Sequence, residues 1–247
     1  MAIVKTIIDN NEIEYDDKEF EVLKEPGNVY LHYIGSGKNV ANPKGNTSCY
    51  SMFHDYKGTS LDLTNFDTHN ITNMSCMFVN CSNLSYLNLS NFDTHNVIDM
   101  SSMFSYCKSI KHLNLSNFDT NKVISMRSMF YNCENLKLLN ISQFNTENVI
   151  NMEDMFNKCK NLTELDLSSF HINNTTRLSD MLWNCEGLEK LKVGSDYLQF
   201  FSINRVLLET GNRVSIISMS KLDKTIQELF YWKLFVNTPL YFNKGEC

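Results

Sequence analysis

The chain has 247 residues, of which 43% are hydrophobic and 20% are charged, so it is long enough to bury a substantial core. Its net charge of −6 argues against binding to a phosphate backbone, which requires clustered Lys and Arg, and nucleic acid is therefore not expected as a direct ligand. No apolar run is long enough to predict a membrane span, and the N-terminus lacks the apolar core of a secretory signal. These features predict a cytoplasmic protein, or one at the cell surface if an export signal has been removed.

Residues 1–45 are predicted to form an acidic, β-rich N-terminal cap. The apolar and aromatic run at residues 29–34 predicts a strand that starts the main sheet. The following Gly35, Gly37 and Lys38 lack the spacing of a phosphate-binding loop, so a turn is the preferred interpretation.

A 26-residue period dominates residues 46–193. Full copies begin at Leu84, Ile110, Leu136 and Leu162, and a partial copy precedes them from Gly58. Two columns of identical residues mark the period: Phe66, Phe92, Phe118, Phe144 and Phe170, and Cys81, Cys107, Cys133, Cys159 and Cys185. Identity at a fixed period indicates one supersecondary unit stacked on copies of itself.

Each copy is predicted to contain a short strand followed by a helix. In the copy that begins at Leu84, the alternation of Leu84, Leu87 and Leu89 predicts a strand with one buried face. The apolar spacing from Val97 to Cys107 predicts a helix, and Asn96 is the expected N-cap.

These units predict an α/β solenoid, a right-handed leucine-rich-repeat-like stack of strand-turn-helix units with non-repeat caps at both ends. Helices need about twice the spacing of strands, so the parallel sheet is expected on the concave side.

The five cysteines of the column are predicted to be buried, unpaired thiols. The expected helices would hold equivalent cysteines roughly 8–10 Å apart, beyond the reach of a disulfide.

Polar columns suggest sites that the sequence does not sustain. Asp67, Asp93, Asp119 and Asn145 offer too few oxygens for calcium, so backbone capping is the preferred role. His69 and His95 could form a metal pair, but the next copies carry other residues there and ordinary polar surface is preferred. No metal site and no cofactor are predicted.

Residues 194–247 are predicted to form an α/β C-terminal cap, with helices over 197–210 and 220–235 and a strand over 214–219. Its aromatic residues pack on the last repeat in one interpretation. In the other, Tyr231 and Trp232 belong to a partner-binding patch, because Tyr and Trp are enriched in interface hot spots.

The outward strand positions are the predicted partner-binding surface. One column differs in every copy while the surrounding frame repeats: Tyr86, His112, Leu138, Glu164 and Lys190. Beside it, Asn88 and Asn114 belong to a uniform polar column, which a solvated sheet face requires. A varied column is typical of a recognition surface, although drift without function would give the same pattern.

The run Leu-Asn-Leu-Ser-Asn-Phe-Asp-Thr at 87–94 and 113–120, followed by Val-x-x-Met-x-x-Met-Phe-x-x-Cys, resembles the BspA-like leucine-rich repeats of bacterial surface proteins. The resemblance covers residues 46–193. It implies a curved repeat domain used for attachment or protein recognition, without catalytic residues to carry over.

The leading functional hypothesis is therefore a non-enzymatic protein-protein interaction module. It would bind and occlude a macromolecular partner inside the cell, for example as a mobile-element or phage inhibitor of a host defence protein. The alternative is a surface adhesin that binds host or matrix proteins. An enzyme with an unrecognised site is the alternative of another class, although no catalytic set stands out.

Overall fold

The computed structural model describes residues 2–173, 175–194 and, for the backbone alone, 215–217. Within these residues the chain forms short β-strands, isolated β-bridges and turns, and it contains no helix. The helices predicted over 197–210 and 220–235 lie outside the described residues.

Two antiparallel hairpins form the N-terminal part, and their four strands are β1 (Ile3–Ile8), β2 (Asn11–Asp16), β3 (Phe20–Glu25) and β4 (Asn28–Tyr33). The first turn has positive φ at Asp9 and Asn10, as a two-residue type I′ turn requires, and the second turn places Gly27 at φ 84°.

The strand predicted over 29–34 exists as β4, but it does not start the repeat sheet. The two-residue turn after β3 pairs β4 with β3 instead. The hairpin nevertheless joins the first repeat, because the Tyr33 amide donates to the Met52 carbonyl at 2.7 Å and the Tyr33 ring lies 5.2 Å from that of Phe53.

The repeats contribute one short strand each to a parallel arrangement, and the register is one period: Ser60 faces Tyr86, His112 faces Leu138, and Glu164 faces Lys190. These strands are β5 (Ser60–Leu61), β6 (Tyr86–Leu87), β7 (His112–Asn114), β8 (Leu138–Asn140), β9 (Glu164–Leu167) and β10 (Lys190–Val193). The strand predicted over 214–219 is present as β11 (Ser215–Ile217), and it pairs in parallel with β10.

The predicted helix in each copy is wrong. Between Val97 and Cys107, Ser102 and Tyr106 have φ of 56° and 61°, and left-handed residues interrupt a right-handed helix. Alternate amides donate to the next copy instead, as Phe104 does to the Met129 carbonyl at 2.9 Å. The apolar spacing of three and four residues arises here from consecutive four-residue turns. One of these turns is closed by a hydrogen bond from the Cys107 amide to the Phe104 carbonyl at 3.1 Å.

The predicted N-cap role of Asn96 is also wrong. With no helix to cap, its side-chain amide donates to the His69 carbonyl of the preceding copy at 3.0 Å.

The strand pairs β5–β6, β7–β8 and β9–β10 join copies on one side of the stack, and bridges join successive copies on the other side, so the expected reason for curvature is removed. Opposite the strands, a second column forms parallel bridges at Ser48, Asn73, Asp99, Ser125, Asn151 and Arg177. Bridged backbones lie about 4.8 Å apart, so neither side needs the wider spacing that helices would have imposed.

Two phenylalanine columns form the core between these sides. Phe53, Phe78, Phe104, Phe130 and Phe156 stack with centroid distances of 5.4–5.7 Å and interplanar angles of 6–8°. In the other column Phe92 and Phe118 lie 6.4 Å apart at an interplanar angle of 5°. The prediction that equivalent residues of successive copies stack directly is confirmed.

The column cysteines are buried and unpaired, as predicted, but the reason given was wrong. Without helices the copies are bridged at strand spacing rather than held apart. Each thiol instead donates to a phenylalanine carbonyl, for example Cys133 Sγ to Phe104 O at 3.0 Å. Burial raises the pKa of Cys133 to about 12, which keeps the thiol protonated and unreactive.

Candidate functional site

The outward faces of strands β6–β10 line one groove with a volume of about 830 Å³. The groove contains the whole varied column: Tyr86, His112, Leu138, Glu164 and Lys190. Asn88 and Asn114 lie beside it in the same groove. The structure therefore brings together seven of the nine residues predicted to bind a partner. Tyr231 and Trp232 lie outside the described residues.

The apolar members of the varied column project into solvent. Tyr86 is 66% exposed and Leu138 is 58% exposed, whereas the next residues along their strands, Leu87 and Leu139, are half-buried. Leu113 and Leu165, on the opposite face of the same strands, are buried in the core. Exposure of large apolar side chains within a groove is typical of interaction surfaces.

The neighbouring polar column has a structural role at the end of each strand. The side-chain oxygens of Asn88 and Asn114 accept hydrogen bonds from the amides of Ser90 and Ser116, both at 3.1 Å. Such turns orient the chain as it leaves the strand without requiring glycine. The uniformity of this column, seen in the sequence, thus reflects a repeated turn.

Two ion pairs line the C-terminal end of the groove. Lys190 bonds to Glu164, and Lys192 Nζ lies 2.9 Å from Asp166 Oδ2. Partial burial raises the pKa of Asp166, but the hydrogen bond from Ser168 and the ammonium of Lys192 lower it by more, so the carboxylate stays charged. The hydrogen bond to Glu164 raises the pKa of Lys190. The four charges cancel in pairs within the groove.

Sequence reasoning missed an exposed isoleucine stripe outside the groove. Ile98, Ile124 and Ile150 occupy one position of three successive copies and are 45%, 44% and 51% exposed. Each donates its backbone amide to the preceding copy, as Ile124 does to the Ile98 carbonyl at 2.8 Å. The repeated Val-Ile pair was the available signal, since only the valine is needed for the core.

The histidines considered for metal binding pair locally with aspartates. His69 Nδ1 lies 2.7 Å from the Asp67 carboxylate, and His95 Nδ1 lies 2.6 Å from Asp93 Oδ1. The aspartates also accept the amides of the same histidines, at 3.0 and 3.2 Å, so the predicted backbone capping is confirmed here. Within residues 2–173 and 175–194, no three His, Cys, Asp or Glu side chains are grouped so as to hold a metal ion.

The loop at Gly35–Lys38 serves packing. The Gly37 amide donates to the Tyr33 hydroxyl at 2.6 Å, and a side chain at Gly37 would collide with the hydroxyl of Tyr56. None of the described segments is a helix of the length and apolarity needed to cross a bilayer.

Comparison with known families shows that the chain matches a family model. The family model described as "Mycoplasma protein of unknown function, DUF285" matches twice, over residues 47–138 and 113–199. No curated protein and no solved structure matches the chain. The two matches together span the stacked copies and more than half of the 247 residues. The chain therefore belongs to the DUF285 family, a repeat family of Mycoplasma proteins of unknown function.

Proposed function

We propose that the chain is a non-enzymatic protein-recognition module whose partner binds in the groove of β6–β10. We further propose that the copies form a right-handed solenoid related to the BspA-like leucine-rich repeats, with turns in place of helices. Its divisions would be an N-terminal cap at 1–45, repeats at 46–193 and a C-terminal cap at 194–247.

One observation supports this function above the others. The strand position that varies from copy to copy is also the position exposed in the groove, while the invariant positions are used by the core and by turns. A fold that needed only its own stability would gain nothing from exposing Tyr86 and Leu138 there.

The groove chemistry favours binding over catalysis. Its carboxylates and ammonium groups are neutralised in pairs, and its amide oxygens are engaged in turns. His112 also lines the groove, but both lining carboxylates, Glu164 and Asp166, are held by lysines and do not orient it for general acid-base chemistry. We therefore propose occlusion or attachment of a macromolecule rather than chemical conversion.

Two roles use the same groove and differ in location. As an intracellular inhibitor, the chain would cover a working surface of a host or rival protein. As an adhesin, it would attach to host or matrix proteins. The resemblance to BspA-like surface repeats favours attachment, whereas the matched family is described as of unknown function and favours neither role. Labelling of intact cells with an antibody against the chain distinguishes these roles, because only the adhesin is accessible from outside.

The test of groove binding is quantitative capture of partners from cell extracts with the full chain as bait. We expect a captured protein whose recovery falls about tenfold or more when Tyr86, His112 and Leu138 are changed to alanine, because central aromatic and apolar contacts dominate binding energy. The matched control changes Ile98, Ile124 and Ile150 to alanine, which removes equally exposed apolar side chains outside the groove.

Equal recovery with the groove variant and the wild type would place the binding site elsewhere. If recovery is instead lost on removal of residues 195–247, the site lies in the C-terminal segment that contains Tyr231 and Trp232.

A further inference from the structure

The polar groups in the N-terminal half of the groove are poised to donate hydrogen bonds. The side-chain oxygens of Asn88, Asn114 and Asn140 are already engaged by turn amides at 3.1, 3.1 and 3.3 Å. Among the described residues, no group accepts a hydrogen bond from their side-chain NH₂. This half of the groove therefore presents a row of N–H donors, one per copy, to whatever binds there.

The apolar side chains of the same region have a characteristic spacing. Tyr86 on β6 and Leu138 on β8 occupy equivalent positions two copies apart. β8 pairs with β7, and the copy of β6 is joined to the copy of β7 by the bridge between Asp99 and Ser125 on the opposite side. At the usual strand spacing, two copies therefore correspond to about 10 Å along the stack. A polyproline-II helix repeats every three residues, which corresponds to about 9 Å at its rise per residue. Side chains one turn apart on such a helix would therefore meet both.

Resting on the proposed function, we propose that the occupant is a proline-rich segment in the polyproline-II conformation, lying along the stack across β6–β8. Its carbonyls accept hydrogen bonds from Asn88, Asn114 and Asn140, and its apolar side chains one turn apart pack on Tyr86 and Leu138.

Donor and acceptor chemistry favours this occupant over other extended chains. Proline has no backbone N–H, and polyproline-II makes no internal hydrogen bonds, so its carbonyls are free. Such a backbone only accepts hydrogen bonds, which complements a row of uncommitted donors. A β-strand ligand would also bring N–H groups that need acceptors, whereas the Asn140 oxygen already accepts two hydrogen bonds and the oxygens of Asn88 and Asn114 each have room for only one more.

The charged end of the groove sets the charge of the occupant. Glu164 and Asp166 are paired with Lys190 and Lys192, so the lining carries no net charge from these groups. A strongly acidic or basic segment would therefore gain no long-range attraction from this lining. An uncharged proline-rich segment loses nothing by it.

A decaproline peptide tests the proposal. Its binding to the full chain is measured by calorimetry and by shifts of the asparagine side-chain amide signals in NMR spectra. We expect saturable binding that shifts the signals of Asn88, Asn114 and Asn140. The triple variant Asn88→Asp, Asn114→Asp, Asn140→Asp should bind at least tenfold more weakly. Aspartate keeps the turn acceptor, as Asp62 and Asp166 do in the same column, but removes the donors.

The control triple variant is Asn73→Asp, Asn145→Asp, Asn151→Asp. It adds the same charge at asparagines whose oxygens accept turn amides outside the groove, and it should bind decaproline like the wild type. Four outcomes overturn the proposal. Three concern peptides: no saturation by decaproline, equal binding by the groove variant, or equal binding by a Gly-Ser peptide of the same length. The fourth is binding of a β-linked oligosaccharide at the asparagines in place of decaproline.

Failure of this experiment is separable from failure of the proposed function. A protein captured through Tyr86, His112 and Leu138 that does not compete with decaproline refutes the polyproline-II occupant alone.

Discussion

Left-handed backbone occurs at two positions of each copy and is occupied by residues other than glycine. The first position includes Ser51, Cys76, Ser102, Ser128, Asp154 and Asp180, and the second includes Asp55, Asn80, Tyr106, Asn132, Lys158 and Asn184. No glycine or proline occurs from residue 59 to residue 186. Most of these residues are Ser, Asn or Asp, whose short polar side chains tolerate this conformation better than most.

This conformation predicts that Ser128→Gly stabilises the fold. Ser128 has φ of 55°, and an L-residue there costs about 1–2 kcal/mol, which exceeds the entropic cost of glycine. We expect a gain of about 0.5–1 kcal/mol in the free energy of unfolding, measured by urea denaturation. Ser128→Val should lose stability because a β-branched residue fits this region poorly.

The control for this change is Ser116→Gly. Ser116 follows a strand and does not have a positive φ, so glycine should lower stability there. Equal effects at the two serines would contradict the account of backbone strain.

Hydrogen-bonded aspartates at strand ends predict a pH dependence. The side chain and amide of Thr64 both donate to Asp62, which lowers the pKa of that carboxyl. A folded-state pKa below the unfolded value, about 4, adds stability above that value, and the contribution is lost as pH falls through the folded pKa. Asp62→Asn should therefore destabilise the chain at pH 7, and its difference from the wild type should shrink by pH 3.

Thermal unfolding monitored by circular dichroism at several pH values measures this difference. Asp17→Asn is the control, because no described residue donates a hydrogen bond to the Asp17 side chain. A pH-independent penalty for Asp62→Asn would show that the charge contributes nothing to the turn.

At the scale of elements, buried threonines join each copy to the next. Thr120 is 1% exposed, and its hydroxyl both donates to the Asn145 carbonyl and accepts from the Asn145 amide, each at 2.8 Å. Thr68 makes the same pair of bonds to Asp93 of the next copy, and Thr146 makes it to His171. The hydroxyl thus replaces a ladder hydrogen bond at the corner between the two bridged sides.

Thr120→Val should lower the free energy of unfolding by about 2 kcal/mol or more. Valine has nearly the same shape but leaves the buried N–H and C=O of Asn145 unpaired, and each unsatisfied group costs about 1–3 kcal/mol. Chemical denaturation measures the loss. Thr72→Val, at an exposed position, should cost little, and a comparable loss there would count against the corner role of Thr120.

The elements also show what the sequence could and could not predict. Identity at a fixed period revealed the stacked phenylalanines and the outward column at Tyr86 and His112, because those depend on spacing alone. The helix failed because repeated turns and a helix bury the same pattern of apolar residues. What separates them is the backbone at Ser102 and Tyr106, whose side chains do not by themselves specify a left-handed conformation.

The candidate site was predicted in its residues but not in its chemistry. Variation between copies marked Leu138 and Glu164, whereas the pairing of Glu164 with Lys190 and the engagement of the Asn114 oxygen depend on geometry between copies. An amino-acid sequence does not reveal which atom of a side chain faces solvent. The donor character of the groove therefore emerged only from the structure.

At the scale of the whole molecule, each copy is bonded chiefly to its two neighbours. The strands pair one period apart, the opposite column bridges one period apart, and the phenylalanines stack one period apart. Stability in such an array is close to a sum of contributions from copies and from the interfaces between them. A complete copy should therefore be removable, whereas part of a copy should not.

Deletion of residues 110–135 removes one period and should leave a folded chain. It places Ser109 where Asn135 was, and both side chains donate to a carbonyl of the preceding copy, at 2.6 and 2.8 Å. Phe104 would then stack on Phe156 in place of Phe130. We expect cooperative thermal unfolding and dispersed amide NMR signals, with a reduced melting temperature because one interface is lost. Deletion of residues 110–122 removes half a period, puts a turn segment where a strand is required, and should abolish folding. If both deletions unfold the chain, the copies are not structurally equivalent. The groove then could not be described as a surface to which each copy contributes one equivalent residue.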